Sequence, residues 1–275
     1  MKYWGDVMKQ FQFKKSLGQN FLNDKNIIHK IVESAEIDKD TLVIEVGPGG
    51  GALTELVVPL AGQVLLYEAD SRLEEHLNKL LSGNDNYEII IGDFLKADLK
   101  ADLAKYSFEK LYVVANLPYY ITTPIIMKFV ENCILPDKFV IMVQKEVAYR
   151  LSAKVGSKDY GSLTVFLNYY YDINKLFDVS RNCFIPKPNV DSAIVEMNLK
   201  ENRLKVLDMD LFNRLVRDSF LYKRKTIRNN LKAYDLVVIE NVLRKYGFDL
   251  SVRAENLELE IFVEMANELA DKNFE

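Results

Sequence analysis

Four consecutive residues, Asn116-Leu117-Pro118-Tyr119, combine groups that can bind an aromatic amine. The side-chain oxygen of Asn116 and a neighbouring backbone carbonyl can each accept a hydrogen bond from the exocyclic amine of adenine. Such acceptors draw the amine towards tetrahedral geometry and free its lone pair, so no general base is required. Tyr119 offers a flat face on which a flipped base can stack. The alternative is an ordinary turn at the end of a strand, with the tyrosine packed on the sheet.

The tetrapeptide directly follows the apolar run 111–115, whose β-branched and aromatic residues are typical of a short buried strand. The run stops just before Pro118, which favours an extended backbone in the residue that precedes it. In an open α/β sheet, ligands bind at the edge formed by the carboxyl ends of the strands. The sequence therefore predicts that Asn116 lies at a ligand-binding edge.

A glycine-rich turn follows another predicted strand. The apolar run 41–46 leads into Gly47-Pro48-Gly49-Gly50-Gly51, and a helical pattern begins at Ala52. A strand, a glycine turn and a helix in this order let the backbone approach a ligand closely. The spacing of Gly47 and Gly49 differs from the dinucleotide fingerprint, and it better suits a nucleoside without a pyrophosphate group.

Two acidic residues close the next two predicted strands. Glu68, at the end of the second strand, is placed to accept hydrogen bonds from ribose hydroxyls. Helix capping is the alternative, but Ser71 and Glu74 form an S-x-x-E pattern that predicts a capping box and leaves Glu68 available. Asp93 follows the third strand and could accept a hydrogen bond from an adenine amino group.

Strands and helices alternate along most of the chain, which indicates a doubly wound α/β fold with a mostly parallel sheet. The predicted strands are 41–46, 63–68, 87–91, 111–115, 139–143 and 193–199. Beyond residue 201 the periodicity is helical throughout. We therefore expect two domains, residues 1–201 with the sheet and residues 202–275 with helices only.

Two segments away from the strand ends could also contact a ligand. The polar arm 14–22 contains two cations, a glycine and two amides, and could fold over a ligand; an ordinary N-terminal extension is the alternative. The loop 184–192 contains two prolines, which make it rigid and extended. It could present Phe184 as a second wall for a base, opposite Tyr119, although a buried core phenylalanine fits the sequence equally well.

The charge of the chain is unevenly distributed. The net charge is −4, yet the segment 214–232 contains seven basic residues and one acid. Four of the basic residues lie close together: Lys223, Arg224, Lys225 and Arg228. A focused basic patch is what phosphate binding requires, whereas a solvated helix face is the alternative.

Several classes of protein are not indicated by the sequence. The N-terminus lacks the apolar region of a signal peptide, and no apolar run reaches the roughly 18 residues of a membrane span, so we expect a cytoplasmic protein. Cys133 and Cys183 are too far apart to suggest a disulfide framework or a zinc motif. His29 and His76 have no neighbouring Cys or His, so no metal site is expected.

Taken in order, the motifs resemble one family. They are Gly18-Gln19-Asn20-Phe21-Leu22, Glu45-Val46-Gly47-Pro48-Gly49-Gly50-Gly51, Gly92-Asp93, Asn116-Leu117-Pro118-Tyr119, Gln144-Lys145-Glu146-Val147-Ala148, the loop 184–192 and Lys223-Arg224-Lys225-Thr226. Together they resemble the rRNA adenine N6,N6-dimethyltransferases, and most closely the bacterial small-subunit branch. The similarity extends from about Lys14 to Asn230, and the final helices match in character only.

The resemblance implies a cofactor, S-adenosyl-L-methionine, and a set of contacts for it. The residues implied to bind the cofactor are Asn20, Leu22, Gly47, Gly49, Glu68, Asp93 and Asn116. The target base would contact Asn116, the Leu117 carbonyl, Tyr119 and Phe184. The implied reaction places two methyl groups on each of two adjacent adenosines in a hairpin loop near the 3′ end of 16S rRNA, late in small-subunit assembly.

The resemblance also implies that the basic segment and the helical domain hold this RNA, with the protein acting as a monomer. Two alternatives remain: a large-subunit adenine methyltransferase of the kind that confers macrolide resistance, and a non-catalytic ribosome-assembly factor. Tyr120 departs from the family pattern because many relatives have a smaller asparagine there, so the rim of the pocket is expected to differ.

Overall fold

The computed structural model describes residues 19–272 of the 275-residue chain. Residues 14–18 of the predicted arm therefore lie outside the described residues. Among the described residues, no helix combines the length and the apolar character that crossing a bilayer requires.

Seven strands form one sheet in the order β4-β3-β2-β5-β6-β9-β7. The strands of the structure are β1 Phe21–Leu22, β2 Thr41–Val46, β3 Gln63–Glu68, β4 Tyr87–Ile91, β5 Lys110–Asn116, β6 Lys138–Gln144, β7 Tyr171–Val179, β8 Phe184–Ile185 and β9 Ser192–Leu199. Strands β2 to β6 pair in parallel, and β9 runs antiparallel to β6. The predicted mostly parallel α/β fold is confirmed, and the carboxyl ends of five strands meet at one edge.

Strand β7 was not predicted from the sequence. It lies at the end of the strand order, and exposed positions alternate along it with less exposed ones. A strand with one solvated face carries polar residues at every second position and so lacks the continuous apolar run of a buried parallel strand. Only its place beside β9 in the sheet identifies it.

The helices connect the strands and then form a second unit. Those with α-helical geometry are Lys25–Ala35, Thr54–Val57, Glu74–Leu80, Leu99–Leu103, Thr122–Glu131, Lys145–Leu151, Ser162–Tyr170, Met209–Ser219, Ile227–Asn230, Leu236–Lys245 and Leu259–Lys272. Short 3₁₀ segments at Ser71–Leu73, Phe94–Lys96 and Tyr119–Ile121 follow directly after three of the strand ends.

The chain divides into two compact units. One contains the described residues up to Ala148 together with Asn174–Leu199, and the other contains Tyr149–Ile173 and the described residues from Lys200. All of 1–201 was predicted from the sequence to form the sheet domain, so the two divisions differ at Tyr149–Ile173 and at the two residues Lys200 and Glu201. The physical reason is that Tyr160, Val165 and Tyr169 belong to the apolar core of the helical unit.

Strands β1 and β8 form a separate two-stranded sheet that fixes the end of the polar arm. Phe21 pairs with Ile185 and Leu22 pairs with Phe184 in antiparallel register. One residue further on, the Asn23 amide donates a hydrogen bond to the Cys183 carbonyl at 2.8 Å. The described part of the arm is therefore held by backbone pairing between segments about 160 residues apart, which no local pattern reveals.

Asp24 begins the helix that follows the arm, and its contribution can be measured. Its carboxylate accepts hydrogen bonds from the Asn26 and Ile27 amides at 3.0 and 3.2 Å. We expect Asp24→Ala to lower the free energy of unfolding by about 1 kcal/mol, because two helix donors lose their acceptor. Asp24→Asn keeps the acceptor and should retain most of the stability in urea titrations. An equal loss in both variants would show that capping is not the cause.

Candidate active site

A cavity of about 400 Å³ opens at the carboxyl ends of the parallel strands, within the size range of small-molecule sites. It lies in the sheet unit. The predicted site residues that line it are Asn20, Leu22, Gly47, Gly49, Glu68, Asp93, Asn116, Leu117 and Tyr119. The structure thus brings together nine of the ten residues that the sequence analysis assigned to the cofactor and the base.

The glycine turn lies against the wall of the cavity and requires its glycines. Gly47 and Gly49 have φ angles of +74° and +57°, a region that disfavours other residues. A Cβ atom on Gly49 would also lie 2.6 Å from a ring carbon of Phe21. The backbone can approach a ligand here only because these side chains are absent.

Glu68 is buried and holds the glycine turn and the end of β3 together. Its Oε2 accepts a hydrogen bond from the Gly49 amide at 3.0 Å, and its Oε1 accepts one from the Asp70 amide at 2.8 Å. Burial raises the pKa of this carboxyl above its ordinary value. Each carboxylate oxygen has a second lone pair, so Glu68 can still accept hydrogen bonds from ribose hydroxyls.

The predicted capping box of Ser71 and Glu74 is wrong. The chain after β3 begins a 3₁₀ turn at Ser71, and its cap is Asp70, whose carboxylate accepts from the Arg72 amide at 3.3 Å. The premise that kept Glu68 free was therefore incorrect. Glu68 nevertheless does not cap this turn by its side chain, because Asp70 does.

Asp70 is a functional candidate that the sequence analysis missed. It is buried, its Oδ1 accepts from the Arg72 Nε at 2.8 Å, and its Oδ2 accepts from the Gln19 side-chain amide at 2.9 Å. The Arg72 guanidinium holds the pKa of this carboxyl well below its usual range. Asp70 thereby ties the arm to the end of β3. The available signal was a second acid two residues after Glu68.

Asn116 connects the arm to the end of β5. Its Nδ2 donates a hydrogen bond to the Asn20 backbone carbonyl at 3.1 Å. A carbonyl can only accept, so this contact determines which end of the amide is the NH₂ group. The other end, Oδ1, accepts no hydrogen bond from the described residues and remains an acceptor at the cavity.

The rest of the tetrapeptide is rigid. The Leu117 amide donates to the Met142 carbonyl at 3.2 Å, and the Pro118 carbonyl accepts from the Ile121 amide at 3.2 Å. The Tyr119 hydroxyl and the buried Ser192 hydroxyl lie 2.6 Å apart, and burial raises the pKa of Tyr119. The ring of Tyr119 therefore has a fixed position on the cavity wall.

Asp93 and Tyr120 lie at the outer part of the cavity. Asp93 is exposed, and its Oδ1 accepts from the Leu95 amide at 3.0 Å. Beside it Phe94 is buried in edge contact with Tyr67, with 5.0 Å between ring centroids. Tyr120 lines the same cavity and is 59% exposed, so a large aromatic side chain stands where the sequence analysis noted a departure from the family.

Phe184 is the predicted site residue that the structure does not place on the cavity. Its side chain is 3% exposed and belongs to the same buried apolar cluster as Leu22, Ile28 and Ile194. Alternation along strand β8 turns Phe184 inwards and leaves Ile185 exposed. In the structure Phe184 is a buried core residue, which was the alternative considered for it.

Glu45 is a second buried acid that lines the cavity. The Thr54 hydroxyl donates a hydrogen bond to its Oε2 at 2.8 Å. Burial raises the pKa of Glu45 to about 8, and the neighbouring carboxylate of Glu68 adds to the rise. At neutral pH this carboxyl group is therefore mostly protonated, and it adds little negative charge to the cavity.

The predicted RNA-binding residues belong to the helical unit. Lys223, Arg224 and Lys225 lie in the turn after helix Met209–Ser219, and Arg228 lies in the next helix; all four are exposed. The Lys223 ammonium donates to the Lys158 carbonyl at 2.5 Å. Within the described range, no group of three or more His, Cys, Asp or Glu side chains is arranged to hold a metal ion.

Comparisons with known proteins agree with this geometry. The sequence matches the family model described as ribosomal RNA adenine dimethylase over residues 10–271. It is 46% identical to "Ribosomal RNA small subunit methyltransferase A" of Streptococcus equi subsp. zooepidemicus, over 94% of this chain and 92% of that one. The protein of the same name from Streptococcus gordonii is 45% identical over the same shares.

Two solved structures share the fold over most of their length. A dimethyladenosine transferase from Plasmodium falciparum superimposes with a TM-score of 0.76 at 29% identity, covering 92% of this chain and 98% of that chain. The 23S rRNA methyltransferase ErmE gives a TM-score of 0.74 at 28% identity, covering 91% and 99%.

A mostly parallel sheet with a glycine turn and a cavity at its carboxyl edge defines a Rossmann-like fold, and the similarity to rRNA methyltransferases makes the protein an S-adenosyl-L-methionine-dependent methyltransferase. The match to the family model then specifies the kind of methyltransferase. The chain belongs to the ribosomal RNA adenine dimethylase family, and it is an rRNA adenine methyltransferase.

The buried Glu45 generates a pH-dependent prediction. Its pKa is raised from an ordinary value of 4.5 to about 8, so the stability from its protonated form is complete below pH 4.5 and is lost as the pH rises through 8. Glutamine cannot ionise. Between about pH 6 and pH 9 the Tm of Glu45→Gln should therefore fall less than that of the wild type.

The measurement is thermal unfolding at constant ionic strength. Glu55→Gln is the matched control, because Glu55 is exposed on the following helix and the change removes the same charge. Its Tm should follow the wild type across the range. Parallel curves for Glu45→Gln and the wild type would contradict the assigned protonation state.

Proposed function

We propose that this protein transfers methyl groups to N6 of two adjacent adenosines in a hairpin loop near the 3′ end of 16S rRNA, dimethylating each. The substrate is the assembling small ribosomal subunit, and the protein acts as a monomer in the cytoplasm. The single observation that carries the proposal is the Asn116 amide, which belongs to the lining of a ligand-sized cavity and whose donor end is used by the Asn20 carbonyl, so that its oxygen is left as an acceptor. The names of the streptococcal relatives support the small subunit as the target.

The cavity fits S-adenosyl-L-methionine in size and in the hydrogen-bonding groups that line it. The glycine turn allows close backbone approach, Glu68 would accept hydrogen bonds from the ribose, and Asp93 would accept one from the adenine amino group. Asn20 and Leu22 of the arm would cover the cofactor beside Asn116. When bound, the cofactor supplies a methyl group that its sulfonium charge already activates.

The target amine is positioned by the tetrapeptide. We assign two acceptors to it, the Oδ1 of Asn116 and the backbone carbonyl of Leu117, and these favour the tetrahedral amine from which transfer occurs. Tyr119 would stack on the base, with its ring position held through Ser192. Because the acceptors are fixed before the substrate arrives, positioning rather than acid–base chemistry lowers the barrier.

Transfer of a second methyl group sets a further requirement. The first transfer leaves a positively charged N6, which loses a proton to solvent, so the amine then has one N–H left and only one of the two acceptors can still bind it. The other acceptor must then tolerate a methyl group beside it. An open rim would allow this, and Tyr120 is the residue that shapes the rim in this chain.

The basic turn of the helical unit would bind the phosphates of the RNA. Lys223, Arg224, Lys225 and Arg228 are exposed, and Arg224 and Lys225 form no ion pair with the residues that the structure describes. Unpaired, exposed cations release counterions when they meet a phosphate backbone, which favours binding at low salt.

The two alternatives, a large-subunit rRNA methyltransferase and a non-catalytic assembly factor, can be distinguished by identifying which rRNA, if any, is methylated. The fold does not discriminate, because ErmE, a 23S rRNA methyltransferase, superimposes almost as well as the dimethyladenosine transferase. Sequence identity favours the small subunit, at 46% against 28%. The test is transfer from labelled cofactor to unmodified small subunits, large subunits and free RNA, with the nucleosides identified by mass.

Dimethyladenosine confined to small-subunit rRNA is the expected result. Labelled methyl groups in large-subunit rRNA would instead identify the protein as a large-subunit adenine methyltransferase. Tight RNA binding without any transfer would make it an assembly factor and would overturn the proposed reaction.

A substitution of Asn116 tests its proposed role as an acceptor for the reacting amine. We expect Asn116→Ala to lower methyl transfer about 100-fold or more, because a preorganised acceptor for the reacting amine is lost. RNA affinity, measured by filter binding, should change by only about threefold, since the phosphate contacts lie elsewhere.

Asn132→Ala is the control for this variant. Asn132 caps the end of helix Thr122–Glu131 through a bond to Lys128 and does not line the cavity. It should retain both activities. Equal loss of transfer and of RNA binding in Asn116→Ala would show that the residue maintains the fold and does not position the amine.

A further inference from the structure

The turn between helices Met209–Ser219 and Ile227–Asn230 exposes two large apolar side chains. Leu221 and Tyr222 are each 61% exposed, and all five residues from Leu221 to Lys225 are exposed. The cations of this turn are predicted from the sequence to bind phosphate. The adjacent apolar pair has no role in that prediction.

Hydrogen bonds fix the backbone of the turn that carries Leu221 and Tyr222. The Asn230 side chain spans the turn: its Nδ2 donates to the Ser219 carbonyl at 2.6 Å, and its Oδ1 accepts from the Tyr222 amide at 3.3 Å. The Lys225 amide closes the turn by donating to the Tyr222 carbonyl at 2.8 Å. Because this conformation exists before binding, the entropic cost of presenting the ring is small.

The charge around the pair selects the partner. Lys223, Arg224 and Lys225 follow directly in the chain, and Arg228 lies in the next helix. An aromatic ring beside several cations is suited to a polyanion with flat bases, because the cations bind phosphates and the ring stacks on a base. A protein partner would instead have to present an acidic surface around an apolar pocket.

We propose that Leu221 and Tyr222 form a stacking platform for an unpaired nucleotide of the RNA substrate, in the helical unit. This inference rests on the proposed function, since it requires RNA as the substrate. The ring would stack on the face of one base, Leu221 would pack against its edge, and the neighbouring cations would hold the flanking phosphates. The site is additional to the base that accepts the methyl group.

Tyr246 provides an internal comparison. It is also exposed, at 42%, and also belongs to the helical unit. Its hydroxyl donates to Glu264 at 2.6 Å, and Lys245 pairs with Glu264 and Glu268. Two carboxylates therefore lie near Tyr246, and the one nearby lysine is already paired with them, so this surface would repel phosphate. An exposed tyrosine is thus not sufficient for a platform, and Tyr246 serves as the control.

The test is RNA affinity of the full chain at several salt concentrations, with small-subunit rRNA and with whole small subunits. Tyr222→Ala should weaken binding about 5- to 150-fold, the range for loss of one stacked base, and Tyr222→Phe should bind like the wild type. Tyr246→Ala should also bind like the wild type. The dependence of affinity on salt should not change in Tyr222→Ala, whereas it should become weaker in Lys225→Ala.

A spectroscopic readout separates stacking from a structural effect. In Tyr222→Trp the new indole should be quenched on addition of RNA, beyond the change seen with the wild type, which has one tryptophan of its own. Absence of this quenching, or equal losses in Tyr222→Ala and Tyr222→Phe, would overturn the platform. Unchanged affinity for naked RNA with lost affinity for whole subunits would also overturn it, in favour of a protein partner.

Failure of this inference differs from failure of the proposed function. If the wild type methylates the small subunit and Tyr222→Ala binds RNA equally well, only the platform is rejected. If the wild type neither binds nor methylates small-subunit RNA, the proposed function fails first.

Discussion

The hydrogen bond from the Asn116 side chain to the Asn20 carbonyl is the contact on which the site depends. An amide group has one donating and one accepting end, so use of the donor by a backbone carbonyl determines the direction of the acceptor. The bond requires the arm to lie over the strand ends. The arm is held there by the pairing of β1 with β8 and by the hydrogen bond from Gln19 to Asp70. The Asn116 oxygen is therefore oriented only when the arm has folded over the strand ends.

The cavity is built with buried acids, which are costly in an apolar surrounding. Glu68 and Asp70 offset this cost differently. Glu68 accepts two backbone amides and has a raised pKa, whereas Asp70 pairs with Arg72 and has a lowered pKa. Glu45 avoids the cost by keeping its proton. Glu45 and Glu68 line the cavity, and because Glu45 is mostly protonated and the nearby Asp70 is paired with Arg72, these acids add little net negative charge there.

The parts of the site that the sequence predicted are those set by local order. Glu68 and Asn116 end a strand, Gly47 and Asp93 follow one, and parallel pairing brings such positions to one edge. A strand end is visible in the sequence because the apolar run stops there. This rule was sufficient for the fold class and for most of the residues that line the cavity.

The parts that the sequence did not predict depend on distant pairing. Phe184 could face either way until its register with Leu22 was known, and the register turns it inwards. Helix Ser162–Tyr170 reads as part of the first domain until Tyr169 is seen in the helical core. The cap of the turn after β3 was assigned to Ser71 because S-x-x-E is a common pattern, but the turn begins one residue earlier, with Asp70 as the cap that accepts from the Arg72 amide.

A crystal structure of a complex would show whether Asn116 and Leu117 receive the target amine through preset acceptors. The complex should contain S-adenosyl-L-homocysteine and an RNA hairpin with the target adenosine. We expect N6 to lie within about 3.2 Å of Asn116 Oδ1 and of the Leu117 carbonyl oxygen, while Nδ2 still donates to Asn20. An amide turned to direct Nδ2 at the adenine, or an adenine bound away from the tetrapeptide, would contradict it.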